Sequence, residues 1–218
     1  MPEQKFGVFD FDGTIVDAMP VYFGVSAHLI ESEYGLSGPE FERFSTMYTG
    51  APIEELFTKF LRAKHRPTDR VADNIRTFFE LVNVREFPVI AGAPEAITQA
   101  HARGITLFIS TGSQTQRTKE RLEQADLLKY FTEVYGSSEV EKGPEHIRDF
   151  ARHCGVSLET FAQRSFFLGD GPGDMKLAKA CSMKAVGVAH TFEAAYLMQA
   201  GADLVLPTIG EAAGLELI

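Results

Sequence analysis

The chain has 218 residues, enough for one or two domains and a substantial core. Its 44% hydrophobic and 23% charged residues exclude an intrinsically disordered chain. Thirty acidic against 21 basic residues, a net charge of −9, argue against a broad nucleic-acid surface but not against a local cationic site for a small anion. No apolar run approaches the ~20 residues of a membrane helix. The start, Met1-Pro2-Glu3-Gln4-Lys5, lacks the basic region and apolar stretch of a signal peptide. Cys154 and Cys181 are too few for a disulfide framework and have no metal-ligand spacing, so both are expected as buried free thiols. A soluble, cytoplasmic protein is expected, with no nucleic-acid or membrane partner.

Short apolar runs mark strands at Phe6 to Phe9, Ile105 to Ile109, Glu133 to Tyr135, Ser165 to Leu168, Ala185 to Val188 and Leu204 to Leu206. The first interval is different. Val21 to Tyr34, Glu40 to Met47, Ile53 to Ala63 and Arg70 to Val82 read as amphipathic helices, with Pro52, Glu54 and Glu55 in a first helical turn. Phe87 to Gly92 reads as the linker back. Later intervals alternate strand with helix: Thr115 to Leu128 places Leu122, Ala125 and Leu128 on one face, and Met175 to Ala180 follows a Gly-rich turn. The fold class is therefore α/β, a Rossmann-like parallel-sheet core with an inserted all-helical cap. The core is expected over residues 1–17 and 88–218 and the cap over 18–87.

In open parallel sheets, ligands bind beyond the carboxyl ends of the strands, so the residues after each run carry the chemistry. The first run ends in Asp10-Phe11-Asp12-Gly13-Thr14. Two carboxylates so close repel, which raises a pKa unless a cation is shared. The second ends in Ser110-Thr111-Gly112-Ser113, whose hydroxyls and backbone N–H groups can hold a phosphate. Here either Ser110 or Thr111 can face it, and counting along the strand favours Thr111. After the third comes Lys142-Gly143-Pro144, placing an ammonium just before a proline-initiated helix. The fourth leads to Gly169-Asp170-Gly171-Pro172-Gly173-Asp174, a loop suited to a hard cation such as Mg²⁺. A nucleophile-capable acid pair, a hydroxyl cradle, a cation and a metal loop together make a phosphoryl-transfer set.

Asp10-Phe11-Asp12-Gly13-Thr14-Ile15-Val16-Asp17 closely resembles the signature of the haloacid dehalogenase superfamily, in its phosphoglycolate-phosphatase/beta-phosphoglucomutase-like subfamily with a helical cap after the first motif. Thr111, Lys142 and the Asp170/Asp174 loop follow in the order of that superfamily's remaining motifs. The resemblance implies that Asp10 is the nucleophile and Asp12 the general acid and base. It implies that Thr111, with the backbone at Gly112, and Lys142 hold the phosphoryl group. It also implies a Mg²⁺ ion held by the Asp10 carboxylate, the main-chain carbonyl of Asp12 and Asp170, with Asp174 either binding the metal or orienting its shell. The usual Lys-Pro pairing appears here as Lys142-Gly143-Pro144. Dehalogenases and ion-pumping ATPases of the superfamily lack an acid at the second position, so Asp12 implies a phosphatase or a phosphomutase.

The expected activity is Mg²⁺-dependent hydrolysis of a small phosphate monoester, phosphoglycolate-like or a sugar phosphate, through an aspartyl-phosphate. A beta-phosphoglucomutase-type mutase is the alternative, and a non-catalytic binding protein on the same fold a third reading. The partner is a small phosphorylated metabolite, and the protein a monomer or homodimer. In the insert, Tyr48-Thr49-Gly50-Ala51 is the candidate substrate-contacting loop, with Thr49 and Gly50 its binding residues. Tyr22, Phe23 and His28 are expected to pack, and His190 to lie in a loop at the site rim. Phosphonate-hydrolysing relatives use a cap lysine; Lys59 and Lys64 lie in a polar helical stretch that does not suit that role.

Overall fold

The computed structural model describes residues 3–46, 52–138 and 140–214. The chain divides into two compact units, Met1–Asp17 with Pro88–Ile218, and Ala18–Phe87.

The first unit is built on six parallel strands: β1 (Phe6–Phe9), β2 (Thr106–Ser110), β3 (Phe131–Tyr135), β4 (Ser165–Gly169), β5 (Lys184–Val188) and β6 (Leu204–Leu206). They lie in the order β3-β2-β1-β4-β5-β6, every neighbouring pair parallel. The central strands are buried and predominantly apolar because helices cover both faces of such a sheet. All four residues of β1 and all five of β4 are buried. Chain order reverses between β1 and β4, which opens a crevice past their carboxyl ends. The connecting helices are α5 (Ala93–Ala102), α6 (Thr115–Gln124), α7 (Pro144–His153), α8 (Leu158–Gln163), α9 (Pro172–Ala180) and α10 (Ala194–Gln199). The core includes Phe6, Phe108, Phe150, Phe161 and Phe167. Phe6 stacks on Phe161 with ring centroids 4.6 Å apart.

Several local expectations shift. The α6 helix stops at Gln124, short of Leu128, because Ala125 caps it and Asp126 turns left-handed at φ 57°. The chain then buries Leu127 where the helical pattern pointed to Leu128. Both cysteines are free, but only Cys181 is buried and Cys154 is half-buried. No helix among the described residues is long and apolar enough to cross a membrane.

The two strands of chain at the unit boundary are paired. Asp17 N–H donates to the Pro88 carbonyl at 2.8 Å and Ile90 N–H to the Ile15 carbonyl at 2.9 Å, around an antiparallel bridge between Val16 and Val89. The expected linker is therefore hydrogen-bonded over Pro88 to Ile90. Gly92 follows at φ 87°, a left-handed conformation that opens α5, with its α-carbon facing the backbone of Gly210.

Among the described residues the second unit holds four further helices, α1 (Met19–Tyr34), α2 (Gly38–Thr46), α3 (Ile53–Ala63) and α4 (Val71–Asn83). Pro52 is the N-cap of the third, one position before the first turn where it was expected, and Glu54 and Glu55 lie in that turn. The unit has its own core of Val25, Leu29, Ile30, Phe41, Phe57, Phe60, Leu61, Val71, Phe78 and Val82. Phe41 meets Phe57 and Phe60 edge-on, both at 5.1 Å, and Tyr22 packs against Phe78 and Phe87. Lys59 pairs with Glu55 at 2.6 Å, and Lys64 pairs with Glu40.

Gly92→Ala should destabilise the protein by about 2–4 kcal/mol, because it adds left-handed strain to a clash with backbone that cannot rotate away. A Cβ there would lie 2.6 Å from the Gly210 α-carbon. Urea unfolding of the two proteins measures the difference, and an unchanged midpoint would contradict this account of the turn.

Candidate active site

Four loops at the carboxyl ends of β1, β2, β3 and β4 bring the candidate residues into this unit's crevice. Asp10 continues β1, its N–H donating to the Leu168 carbonyl of β4 at 2.8 Å. Its Oδ1 lies 2.8 Å from Lys142 Nζ. The same ammonium is 2.5 Å from Asp174 Oδ1 and sits over the Phe167 ring at 5.7 Å. Gly143, the residue that interrupts the usual lysine-proline pairing, is fully extended with φ 178° and ψ −166°. Lys142 reaches Asp10 in spite of it.

One carboxylate oxygen from each of Asp10, Asp170 and Asp174 lies within 4.8 Å of the others, and all three residues are buried. Asp174 uses both of its oxygens, since Oδ2 also accepts the Gly171 N–H at 2.9 Å and so fastens the start of α9. Asp170 Oδ1 accepts from the Thr14 hydroxyl at 3.1 Å. Glycine is required where the loops meet. Gly13 has φ 78°, and a Cβ on it would collide with the Asp170 carboxylate. A Cβ on Gly169 would in the same way collide with Asp174.

Asp12 stands apart from this cluster. Its Oδ2 accepts from Ser113 Oγ at 2.5 Å and from Thr111 Oγ1 at 3.4 Å. Thr111 Oγ1 in turn accepts the Ser113 N–H at 3.0 Å. Ser110 points away from the crevice, with Oγ 2.9 Å from His146 Nδ1, as the alternation along β2 requires. Gly112 is exposed with open space around its α-carbon, and its carbonyl accepts from Ser137 Oγ at 2.6 Å. His190, expected at the rim, has Nε2 3.4 Å from Asp17 Oδ1. Tyr48, Thr49, Gly50 and Ala51 lie outside the described residues. Thr14 and Ser113 lie within the first two motif runs of the sequence, but their partners, Asp170 and Asp12, are visible only in the structure.

Burial dominates the electrostatics. It pushes Asp10 well above the ordinary carboxylate range; Asp174 and Asp170 add repulsion, and Lys142 only partly offsets it. Burial likewise raises Asp12, against the hydrogen bond from Ser113. Asp170 is pushed up to about 6, by burial and then by Asp174. For Lys142, burial alone would lower the pKa, but Asp10 and Asp174 outweigh it and hold the ammonium above its ordinary value. Three carboxylates face one ammonium, so the cluster as ionised carries two uncompensated negative charges. That donor set, hard oxygens in need of positive charge, fits a divalent cation of the Mg²⁺ type.

A sequence profile described as haloacid dehalogenase-like hydrolase matches residues 8–188. Among curated proteins, the chain is 26% identical over 208 residues to a phosphorylated carbohydrates phosphatase of Thermotoga maritima, covering 89% of this chain and 90% of that one. It is 28% identical over 214 residues to a phosphoglycolate phosphatase of Salmonella paratyphi A, covering 84% and 81%. Among solved structures, a haloacid dehalogenase-like hydrolase family protein from Streptococcus pneumoniae superposes with a TM-score of 0.80. At 18% identity, over 98% of this chain and 99% of that one, this likeness is one of fold.

Asp170 has a folded pKa of about 6 against an ordinary 3.8. A raised value favours the fold fully at a pH below the ordinary pKa, and that contribution is lost as pH rises through the folded one. With divalent metal removed, Asp170→Asn should therefore be more stable than the parent at pH 7, by about 1–3 kcal/mol, and the gap should close towards pH 4. Thermal unfolding in EDTA at several pH values measures it. A variant less stable than the parent at pH 7 would contradict the charge argument.

Proposed function

The chain belongs to the haloacid dehalogenase-like hydrolases, and on that premise we propose that it is a Mg²⁺-dependent phosphatase of small phosphate monoesters. The observation that carries the reading is the position of Lys142 Nζ, 2.8 Å from Asp10 Oδ1 and 2.5 Å from Asp174 Oδ1, within the Asp10, Asp170 and Asp174 cluster. A phosphate dianion repels a carboxylate nucleophile, so an attacking aspartate needs positive charge fixed beside it.

Asp10 attacks phosphorus through a carboxylate oxygen. The bond from phosphorus to the ester oxygen breaks, and Asp12 gives its proton to that leaving oxygen. Burial suits Asp12 to this step, because its raised pKa keeps a proton available closer to neutrality. The product alcohol departs, leaving an aspartyl-phosphate on Asp10. Asp12, now ionised, takes a proton from water as the water attacks phosphorus, and inorganic phosphate leaves with the Asp10 carboxylate restored. Ser113 and Thr111 hold the Asp12 carboxylate in place through both steps. Lys142 neutralises Asp10 and the incoming phosphoryl oxygens, and the exposed backbone at Gly112 offers an N–H to them. The Asp10 and Asp170 carboxylates and the Asp12 main-chain carbonyl would hold Mg²⁺, with Asp174 orienting Lys142 and the α9 turn. When bound, that ion supplies charge neutralisation for the transferring group.

An acid at the position of Asp12 supports transfer from an alcohol leaving group rather than dehalogenation. For the substrate class, the curated relatives that act on phosphorylated carbohydrates and on phosphoglycolate favour small metabolites of that kind. In a cytoplasmic protein, Mg²⁺ would be the abundant ion of this type.

Inorganic phosphate release should occur from at least one ester in a panel containing phosphoglycolate and several sugar phosphates. It should require Mg²⁺, stop in EDTA, and fall by at least about 10³-fold in Asp10→Asn. Sugar-phosphate isomerisation without phosphate release would identify a mutase instead. Phosphate release that survives Asp10→Asn would overturn the assigned nucleophile.

A further inference from the structure

Thr191 lies between β5 and α10; its Oγ1 is buried and makes no hydrogen bond of good geometry among the described residues, yet it stands close enough to the Asp170 carboxylate to act against the rise in that group's pKa. An unpaired buried hydroxyl costs about 1–3 kcal/mol, so a native fold keeps one only where another group takes up the bond. Its surroundings identify that group. A methyl-sized substituent on Gly13 would lie 2.8 Å from Thr191 Oγ1 and would collide with Asp170 Oδ2. Hydroxyl and carboxylate oxygen therefore border the same small space above the Gly13 α-carbon. The other Asp170 oxygen is already held, by the Thr14 hydroxyl at 3.1 Å.

The segment that carries Thr191 is anchored on both sides of the sheet end. Ala189 N–H donates to the Leu206 carbonyl at 2.8 Å, and His190 Nε2 lies 3.4 Å from Asp17 Oδ1. The hydroxyl is thus fixed beside Asp170 by contacts that do not involve the acid cluster. We propose that Thr191 is a positioning residue of the divalent-metal site: its hydroxyl donates to Asp170 Oδ2 in the metal-loaded protein and, opposite Thr14, fixes the orientation of that carboxylate. The inference rests on the reading above that Asp170 binds Mg²⁺. A hydrogen-bond partner behind a metal ligand typically governs 10–100-fold in affinity.

The test is calorimetric titration of Mg²⁺ into chelator-stripped protein without substrate, for the wild type, Thr191→Val, Thr191→Ala and Thr191→Ser. Thr191→Val and Thr191→Ala should each weaken Mg²⁺ binding by about 10–100-fold, and Thr191→Ser should bind within a few-fold of wild type. Unfolding midpoints without metal show that the variants are folded, and Thr191→Ala carries the test should the valine not fit. Wild-type affinity in a folded variant lacking the hydroxyl overturns the inference alone. So does a serine variant weakened as much as the valine, since the methyl group would then be responsible. A wild type that binds no Mg²⁺ overturns the inference together with the phosphatase reading.

Discussion

Like charge held close in a dry place is the constraint on which this unit turns. Asp10, Asp170 and Asp174 are all buried, with oxygens within 4.8 Å of one another, and Lys142 is the ammonium set among them. Removing carboxylates from water costs several kcal/mol each unless opposite charge and hydrogen bonds compensate. The surrounding structure supplies part of that compensation. Thr14 donates to Asp170, the Gly171 N–H donates to Asp174, and Ser113 and Thr111 donate to the neighbouring Asp12. The remainder is left for a cation. A site that is strained when empty and relaxed when filled trades stability for function.

The fold makes that concentration of charge possible. A sheet ordered β3-β2-β1-β4-β5-β6 places the ends of β1 and β4 side by side at the reversal of chain order. Asp10 and Asp170 follow those two strands directly, so residues far apart in sequence become neighbours without any long-range device beyond strand pairing. Glycines then let the loops close. Neither Gly13 nor Gly169 could carry a side chain without striking an acid of the cluster.

Much of this was legible in the sequence because the central strands carry short apolar runs, and those of β1, β2 and β4 give way to polar residues or glycine. The bounds of β1 and β6 could be read directly, and so could the absence of strands among the described residues between Ala18 and Phe87. Other features carried too little contrast. The α5 helix is alanine-rich, and α8 and α10 are six residues each, too short to show a period. The end of α6 was misplaced because Asp126 adopts a left-handed conformation that its residue type permits but does not announce. Within the site, residue types were readable and contacts were not. The pattern Lys142-Gly143-Pro144 gives no measure of the lysine's reach, which the structure shows as 2.8 Å to Asp10 Oδ1. Counting along the strand favours Thr111 over Ser110, and the alternation of β2 turns Ser110 towards His146. The hydroxyls of Thr14 and Ser113 meet acids from other loops or other strands, and no local pattern encodes such a meeting.

The central claim is that phosphoryl transfer passes through Asp10, and the most direct measurement is to trap it there. In Asp12→Asn the base for the second step is missing, while a donor with a good leaving group, such as acetyl phosphate, needs no acid for the first. Protein quenched after brief reaction with that donor and Mg²⁺ should gain the mass of one phosphoryl group. Fragmentation should locate it on Asp10, hydroxylamine should remove it, and the Asp10→Asn/Asp12→Asn double variant should lack it. Phosphate release with no protein-bound phosphoryl group, or a label on any other residue, would contradict the account.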